Sequence, residues 1–274
     1  MQISPHHALA ASQRPSHISQ PEHKPLPRIL IAGATGVLGN AVLRRLVGMQ
    51  RASHAKVLAT LPLAQGMRQV SAHVVGTNHP ETATTTDFDQ WPRVQADMAV
   101  VMFDPPRMFY GRERALWTPS PEQLPALCAW IKSCGVHTLT VVMPHAQGTL
   151  PKALQRGLAS LDEHALAALG FERLLIVRTA QKPSARKHQN FLEATAAWML
   201  STLAIMVPSN EQPVRASKVA QLVDLALHLL PQCPPGSFIA APELVWETAQ
   251  GDDAHMQRVV RAWLRPMTTN KPLN

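Results

Sequence analysis

Residues 30–47 read ILIAGATGVLGNAVLRRL, and the order of residue types within this stretch decides the fold. The unbroken apolar run from Ile29 to Ala32 is what a strand buried on both faces requires. Three glycines follow, Gly33, Gly36 and Gly39, and Leu38, Val42 and Leu46 then recur at helical spacing. A strand, a glycine turn and an amphipathic helix in immediate succession make the opening βα unit of a parallel sheet. In such a turn the first glycine permits the tight bend, the second lets a phosphate approach the main chain, and the third lets helix and strand pack closely. Free N–H groups at the helix start attract the anion. Gly33, Thr35, Gly36, Val37, Leu38 and Gly39 are therefore placed against a phosphate. The plainer alternative is a βα turn that needs glycines only for packing.

Working outward, apolar strands alternate with helical patterns along most of the chain. Strands are expected at 29–32, 56–61, 72–75, 97–103, 138–143, 173–178 and 237–241. A helix is expected from a capping box at Ser120 and Gln123, with Pro121 in its first turn, through Leu124, Leu127, Cys128 and Ile131 to a terminating Gly135. Another carries Leu158, Leu161, Ala165 and Leu169 before Gly170. Further helices are expected at 191–203, 218–230 and 253–264, with a loop at 208–213 separating the first two. The alternation predicts an α/β fold, stacked βαβ units forming a parallel sheet. Residues 1–27, rich in Pro, Ser, Gln and His, carry no apolar period and are expected to be a disordered tail. The histidines His6, His7, His17 and His23 within it match no metal-ligand spacing.

A chain of 274 residues with 46% apolar content has ample material for a packed core. No apolar run is long enough to span a membrane and the N-terminus shows no hydrophobic signal stretch, so a soluble cytoplasmic protein is expected. Cys128, Cys134 and Cys233 form no CxxC pair and read as reduced, buried thiols. The net charge of +8 is spread over Arg44-Arg45, Arg112/Arg114, Arg186-Lys187 and Arg258/Arg261/Arg265. With no aromatic interleaving around these residues, nothing indicates nucleic acid; solvated faces and an anionic ligand explain them. The sequence contains no GxSxG, HExxH or GxxxxGK[ST] motif, which excludes the commonest hydrolase, zinc-protease and P-loop chemistries.

The spacing in Gly33-Ala34-Thr35-Gly36-Val37-Leu38-Gly39 resembles that of the short-chain dehydrogenase/reductase superfamily, in particular its extended and atypical, NmrA-like members. The segments EQLPALCAWIKSCGVHTLTVVMPHAQG and ALAALGFERLLIVRTA resemble later helices and strands of those proteins, so the likeness extends over about residues 28–245. It implies a Rossmann domain, a doubly wound parallel sheet that binds a nicotinamide dinucleotide, with Phe103 at the end of the fourth strand among the residues lining it and a small C-terminal substrate-binding region over roughly residues 181–274. An acidic partner for the 2′-hydroxyl of NAD is expected about 20 residues past the loop. No carboxylate lies between Glu22 and Glu81, and the second strand ends in Ala59-Thr60-Leu61-Pro62. With Arg68 the nearest basic residue downstream, NADP is favoured over NAD, although NADP-selective relatives usually place their arginine at the strand end itself.

The same resemblance implies a serine, a tyrosine and, four residues on, a lysine as the hydride-transfer set. The sole tyrosine is Tyr110, in MFYGRER, and four residues later stands Arg114. The three family positions fall near Met143-Pro144, Gln155 and Ala159, none of which can exchange a proton. Two substitutes stand. His145 could act as acid/base beside the nicotinamide, or be a solvated loop histidine. Asp104, in FDPPR, could be a base, or simply pair with Arg107. Asp162-Glu163-His164 and His188 form no triad by spacing. The resulting expectation is a nucleotide-binding or redox-sensing module without Ser/Tyr/Lys catalysis. Its rivals are an NADP-dependent reductase or isomerase working through His145 and a non-binding assembly partner. The C-terminal HMQRVVRAWLRPM reads as a helix packed on its own domain.

Overall fold

The computed structural model describes residues 26–63, 69–75, 88–107, 110–143, 163–179 and 214–265. Seven strands run in chain order: β1 (Arg28–Ala32), β2 (His54–Ala59), β3 (Val70–Val74), β4 (Met98–Met102), β5 (Thr138–Met143), β6 (Arg173–Arg178) and β7 (Gly236–Ala240). All pair in parallel, in the order β3-β2-β1-β4-β5-β6-β7. This is the doubly wound Rossmann arrangement: strands are added outward from β1 in one direction to β3 and then from β4 in the other, so the order reverses between β1 and β4. The register places Ile29 beside Met98 and Ala32 beside Val101, so the crevice above these two strands opens just past Ala32 and Met102.

Strand alternation sends Ile29 and Ile31 to one face and Leu30 and Ala32 to the other, and a separate core forms on each. The first face is covered by α1 (Gly36–Gly48) and α4 (Ala216–Leu229). Beside α4 lie α5 (Pro242–Gln250), which reaches β6, and α6 (Asp253–Leu264), and they contribute Val245, Met256, Val260 and Leu264 to the same core. The second face is covered by α2 (Leu124–Ser133), α3 (Glu163–Ala168) and the segment around Phe88 and Trp91. At one edge of that core the rings of Phe88, Trp91, Trp117 and Trp130 meet edge to face, Trp91 lying 5.1 Å from Trp117 and 5.2 Å from Trp130. Residues 214–265 thus belong to the sheet and its first core: β7 extends β6, and α4 lies along α1. That helix pair is also tied by charge. The Asp224 carboxylate of α4, 1% exposed, meets Arg45 Nε at 3.3 Å and Arg51 Nε at 3.1 Å.

The anticipated strands all form, β5 and β6 at the expected residues and the others within two. The capping box expected before α2 is present, with Gln123 Oε1 accepting from Ser120 N at 3.1 Å. The helix at 253–264 forms over those residues, its start capped by Asp252 Oδ1 on His255 N at 2.8 Å. The helix anticipated through Leu158 and Leu161 is described only as Glu163–Ala168, and those two leucines lie outside the described residues. So do most of the tail, the helix expected at 191–203 and the loop at 208–213. α5 was not anticipated: it is nine residues long and begins only two residues after β7, so its pattern ran on from that of the strand. Among the described residues no helix is long and apolar enough to cross a membrane.

Candidate functional site

The turn between β1 and α1 lies at the carboxyl end of the sheet, beside the reversal point where doubly wound folds hold their ligands. Gly33 and Gly36 occupy the left-handed region, with φ of +75° and +66°. A Cβ on Gly39 would stand 2.4 Å from the Gly33 carbonyl oxygen, so the third glycine does the packing work expected of it. At Gly36 the close neighbour is unexpected. A Cβ there would lie 2.1 Å from Asp104 Oδ2, so the main chain at this glycine is approached by a carboxylate of the chain itself.

That carboxylate belongs to the segment that leaves β4 and folds back across the sheet end. Its 3-10 turn, Gly111–Ala115, leads into an extended stretch that lies antiparallel to the end of β2. Trp117 N donates to Leu58 O at 3.0 Å, Thr60 N donates to Ala115 O at 2.8 Å, and Leu116 bridges Ala59. Gly33 N closes the arrangement by donating to Trp117 O at 3.2 Å. The end of β2, where a ribose partner was expected, is therefore engaged by this segment; the Thr60 hydroxyl also bonds Ala115 O, at 3.2 Å.

Two acidic side chains from the segment take the free amides at the start of α1. Asp104 Oδ2 accepts from Leu38 N at 2.7 Å, and Glu113 Oε2 accepts from Gly36 N at 3.0 Å. Glu113 Oε2 also accepts from Arg107 N at 2.8 Å, while Oε1 accepts from Arg107 Nε at 2.8 Å and from Nη2 of the same guanidinium. The Glu113 side chain is nearly inaccessible, at 3% exposure. Thr35, wholly buried, donates its hydroxyl to Asp104 O and lies 3.0 Å from the Thr118 hydroxyl. Two orphan amides of this helix start, Gly36 N and Leu38 N, therefore each meet a carboxylate oxygen.

The two carboxylates titrate in opposite directions. Burial pushes the Asp104 carboxyl above the ordinary aspartate range; the Leu38, Val37 and Gly39 amides oppose the rise and the nearby Glu113 charge adds to it. Burial works on Glu113 in the same sense but is outweighed. The Arg107 side chain and the Arg107 and Gly36 amides hold its pKa below the ordinary glutamate range.

The expected pairing of Asp104 with Arg107 is thus corrected. Arg107 forms its ion pair with Glu113, and Asp104 spends an oxygen on α1 because the chain turns back over the glycine loop before Arg107 is reached. Of the residues placed against a phosphate, Val37 is 60% exposed and Leu38 is in the first core; Phe103, expected to line the dinucleotide, has its side chain buried in the second. Tyr110 is 54% exposed, with the Arg107 guanidinium 3.7 Å above its ring centroid. Arg68, His145, Gln155, Ala159 and His188 lie outside the described residues. Among the described residues no group of three or more metal-ligating side chains converges. Glu113 is the functional candidate that sequence reasoning missed, since nothing in YGRER separates it from a solvated charge.

The glycine turn has the shape of a pyrophosphate cradle, but in this conformation its contents do not fit a dinucleotide. A phosphate placed on Gly36 N and Leu38 N would coincide with two carboxylates and be repelled by both.

No family model matches the sequence, and no curated protein matches it. Among solved structures, the Citrobacter sp. triphenylmethane reductase complexed with NADP(H) is 13% identical, with a TM-score of 0.40 over 86% of this chain and 88% of that one. The PhqB reductase domain from Penicillium fellutanum is 16% identical, with a TM-score of 0.34 over 95% of this chain and 88% of that one. The Bordetella bronchiseptica enzyme WbmH, in complex with NAD+, is 12% identical, with a TM-score of 0.32 over 79% and 88%. At these values the likenesses say nothing of function; the fold rests on the strand order and the site on its own geometry.

Proposed function

We propose that the chain is a Rossmann-fold nucleotide-binding module whose ligand is a nicotinamide dinucleotide, NADP in preference to NAD. It acts by binding or redox sensing and not by Ser/Tyr/Lys hydride transfer. The observation that carries this is the set of main-chain donors at the glycine turn. Gly36 N and Leu38 N, two residues apart at the start of α1, each hold a carboxylate oxygen, of Glu113 at 3.0 Å and of Asp104 at 2.7 Å, and a ligand phosphate offers the same kind of oxygens with more charge. The absence of any carboxylate between Glu22 and Glu81 supports NADP, since β2 and the residues after it supply no acidic partner for the ribose 2′-hydroxyl of NAD. The lack of any YxxxK in the sequence supports binding over catalysis.

Equilibrium dialysis or calorimetry of the full chain with NADPH and NADH tests the proposal. Micromolar binding of either supports it, with NADPH the tighter. Lack of binding at millimolar concentration, by the wild type and by a Glu113→Gln variant alike, overturns it. Turnover of a carbonyl panel that is lost in His145→Ala would replace the binding module with an active reductase.

A second reading is favoured by one observation, the depth at which Glu113 is buried: the site is permanently closed and the fold serves as a scaffold for assembly. The same titration decides between the two.

A further inference from the structure

The donors around Glu113 form a finished oxyanion site. Oxygen Oε2 sits between two main-chain amides, Gly36 N at 3.0 Å and Arg107 N at 2.8 Å; Oε1 faces the side of the Arg107 guanidinium that presents Nε and Nη2. Two amides and a forked guanidinium around one planar anion is the arrangement that recognises a phosphate. Nothing in it is specific to a carboxylate. The second carboxylate, Asp104, lies alongside on Leu38 N, and its negative field falls on the same place.

We propose that Arg107 is the phosphate-binding cation of this site and that Glu113 is a tethered competitor, occupying in the ligand-free chain the place a phosphate takes in the bound one. The proposal rests on the nucleotide-binding reading above and adds its regulation. A phosphate that enters displaces the Glu113 side chain, exchanges its carboxylate oxygens for phosphate oxygens on Gly36 N, Arg107 N and the guanidinium, and leaves Glu113 to solvent. Since Glu113 is 3% exposed, its departure requires the 111–117 segment to lift from the end of β2. That movement breaks the bonds from Thr60 N to Ala115 O and from Trp117 N to Leu58 O. Affinity is therefore lowered by the free energy of undocking this segment, and whatever holds the segment away raises it.

The test uses full-length protein with NADPH and, separately, inorganic pyrophosphate, in the wild type, Glu113→Gln and Glu113→Gln/Arg107→Gln, each checked for native thermal unfolding. Glu113→Gln is expected to tighten both ligands by about tenfold or more, and Arg107→Gln in that background to reverse the gain. A purely structural ion pair would not give opposite signs. Equal affinity of wild type and Glu113→Gln overturns the competitor. A Glu113→Gln affinity indifferent to Arg107→Gln overturns the role of Arg107. Absence of binding in all three folded proteins overturns the nucleotide-binding reading itself, and this inference with it. Should Glu113→Gln not fold, hydrogen exchange of the wild type decides. NADPH that slows exchange at 36–39 and speeds it at 115–117 supports the displacement; slowing at 36–39 with 115–117 unchanged overturns it.

Discussion

Two buried carboxylates in this molecule are each held by arginine, and they differ in what else holds them. Asp224 is bound wholly by side chains, Arg45 in the last turn of α1 and Arg51 just beyond it, and it fastens α4 to α1. Glu113 is bound by one arginine and by two main-chain amides, one of them at the start of α1. If Asp224 is removed, two flexible guanidinium groups, a quarter to a third exposed, can turn toward water. The Gly36 amide cannot turn away, because the helix and the left-handed turn before it fix its direction. Burial and ion pairing alone therefore do not mark a binding site; donors that stay in place when their partner leaves do.

The largest effect that would sharpen this contrast is on ligand affinity, where exchanging Glu113 should matter and exchanging Asp224 should not. Asp224→Asn, if folded, is expected to leave NADPH affinity within about twofold of wild type; a change as large as that of Glu113→Gln would erase the distinction. Stability should rank the two sites in reverse. Asp224→Ala is expected to cost about 2 kcal/mol by thermal or urea unfolding, below the roughly 3–5 kcal/mol of a fully buried pair because its arginines reach solvent. Glu113→Gln keeps an acceptor for Gly36 N and should cost about 1 kcal/mol.

The smallest effects concern pH. The Glu113 pKa is depressed in the fold, so its stabilisation is complete above the ordinary glutamate value of about 4.3 and is lost as pH falls through the depressed value. Wild type should accordingly lose more stability in acid than Glu113→Gln does. Asp104 runs the other way. Its raised pKa contributes stability below the ordinary aspartate value, and that contribution fades as pH rises through the raised one. Asp104→Asn should gain on wild type as pH rises through that window, and a gap that is constant across pH would show that Asp104 is not desolvated.

How much of this was legible in the sequence differs between backbone and site. The strands of the sheet and α1, α2, α4 and α6 follow from apolar period, caps and breakers, because each records its burial along its own residues. α5 was not legible, because its nine residues follow β7 after a single residue and gave too short a helical pattern to separate from the strand. The glycine loop was legible as a phosphate-shaped turn. Its occupant was not. Asp104 stands three residues from Arg107, and nearness in sequence suggested a pair, yet the partner of Asp104 is Leu38 N, 66 residues earlier. Such a contact is set by where an irregular segment lands on the sheet, which no periodicity encodes.

The aromatic cluster gives the tethered segment a consequence of its own. Trp117 is joined through its main chain to Gly33 and Leu58, while its indole stands nearly perpendicular to that of Trp91 and 5.1 Å away. Two indoles at that separation are expected to couple electronically, so an undocking of residues 111–117 of the kind proposed above should show as a loss of the Trp91–Trp117 contribution to the ultraviolet circular dichroism. Dichroism recorded during the NADPH titration would then read the proposed displacement directly.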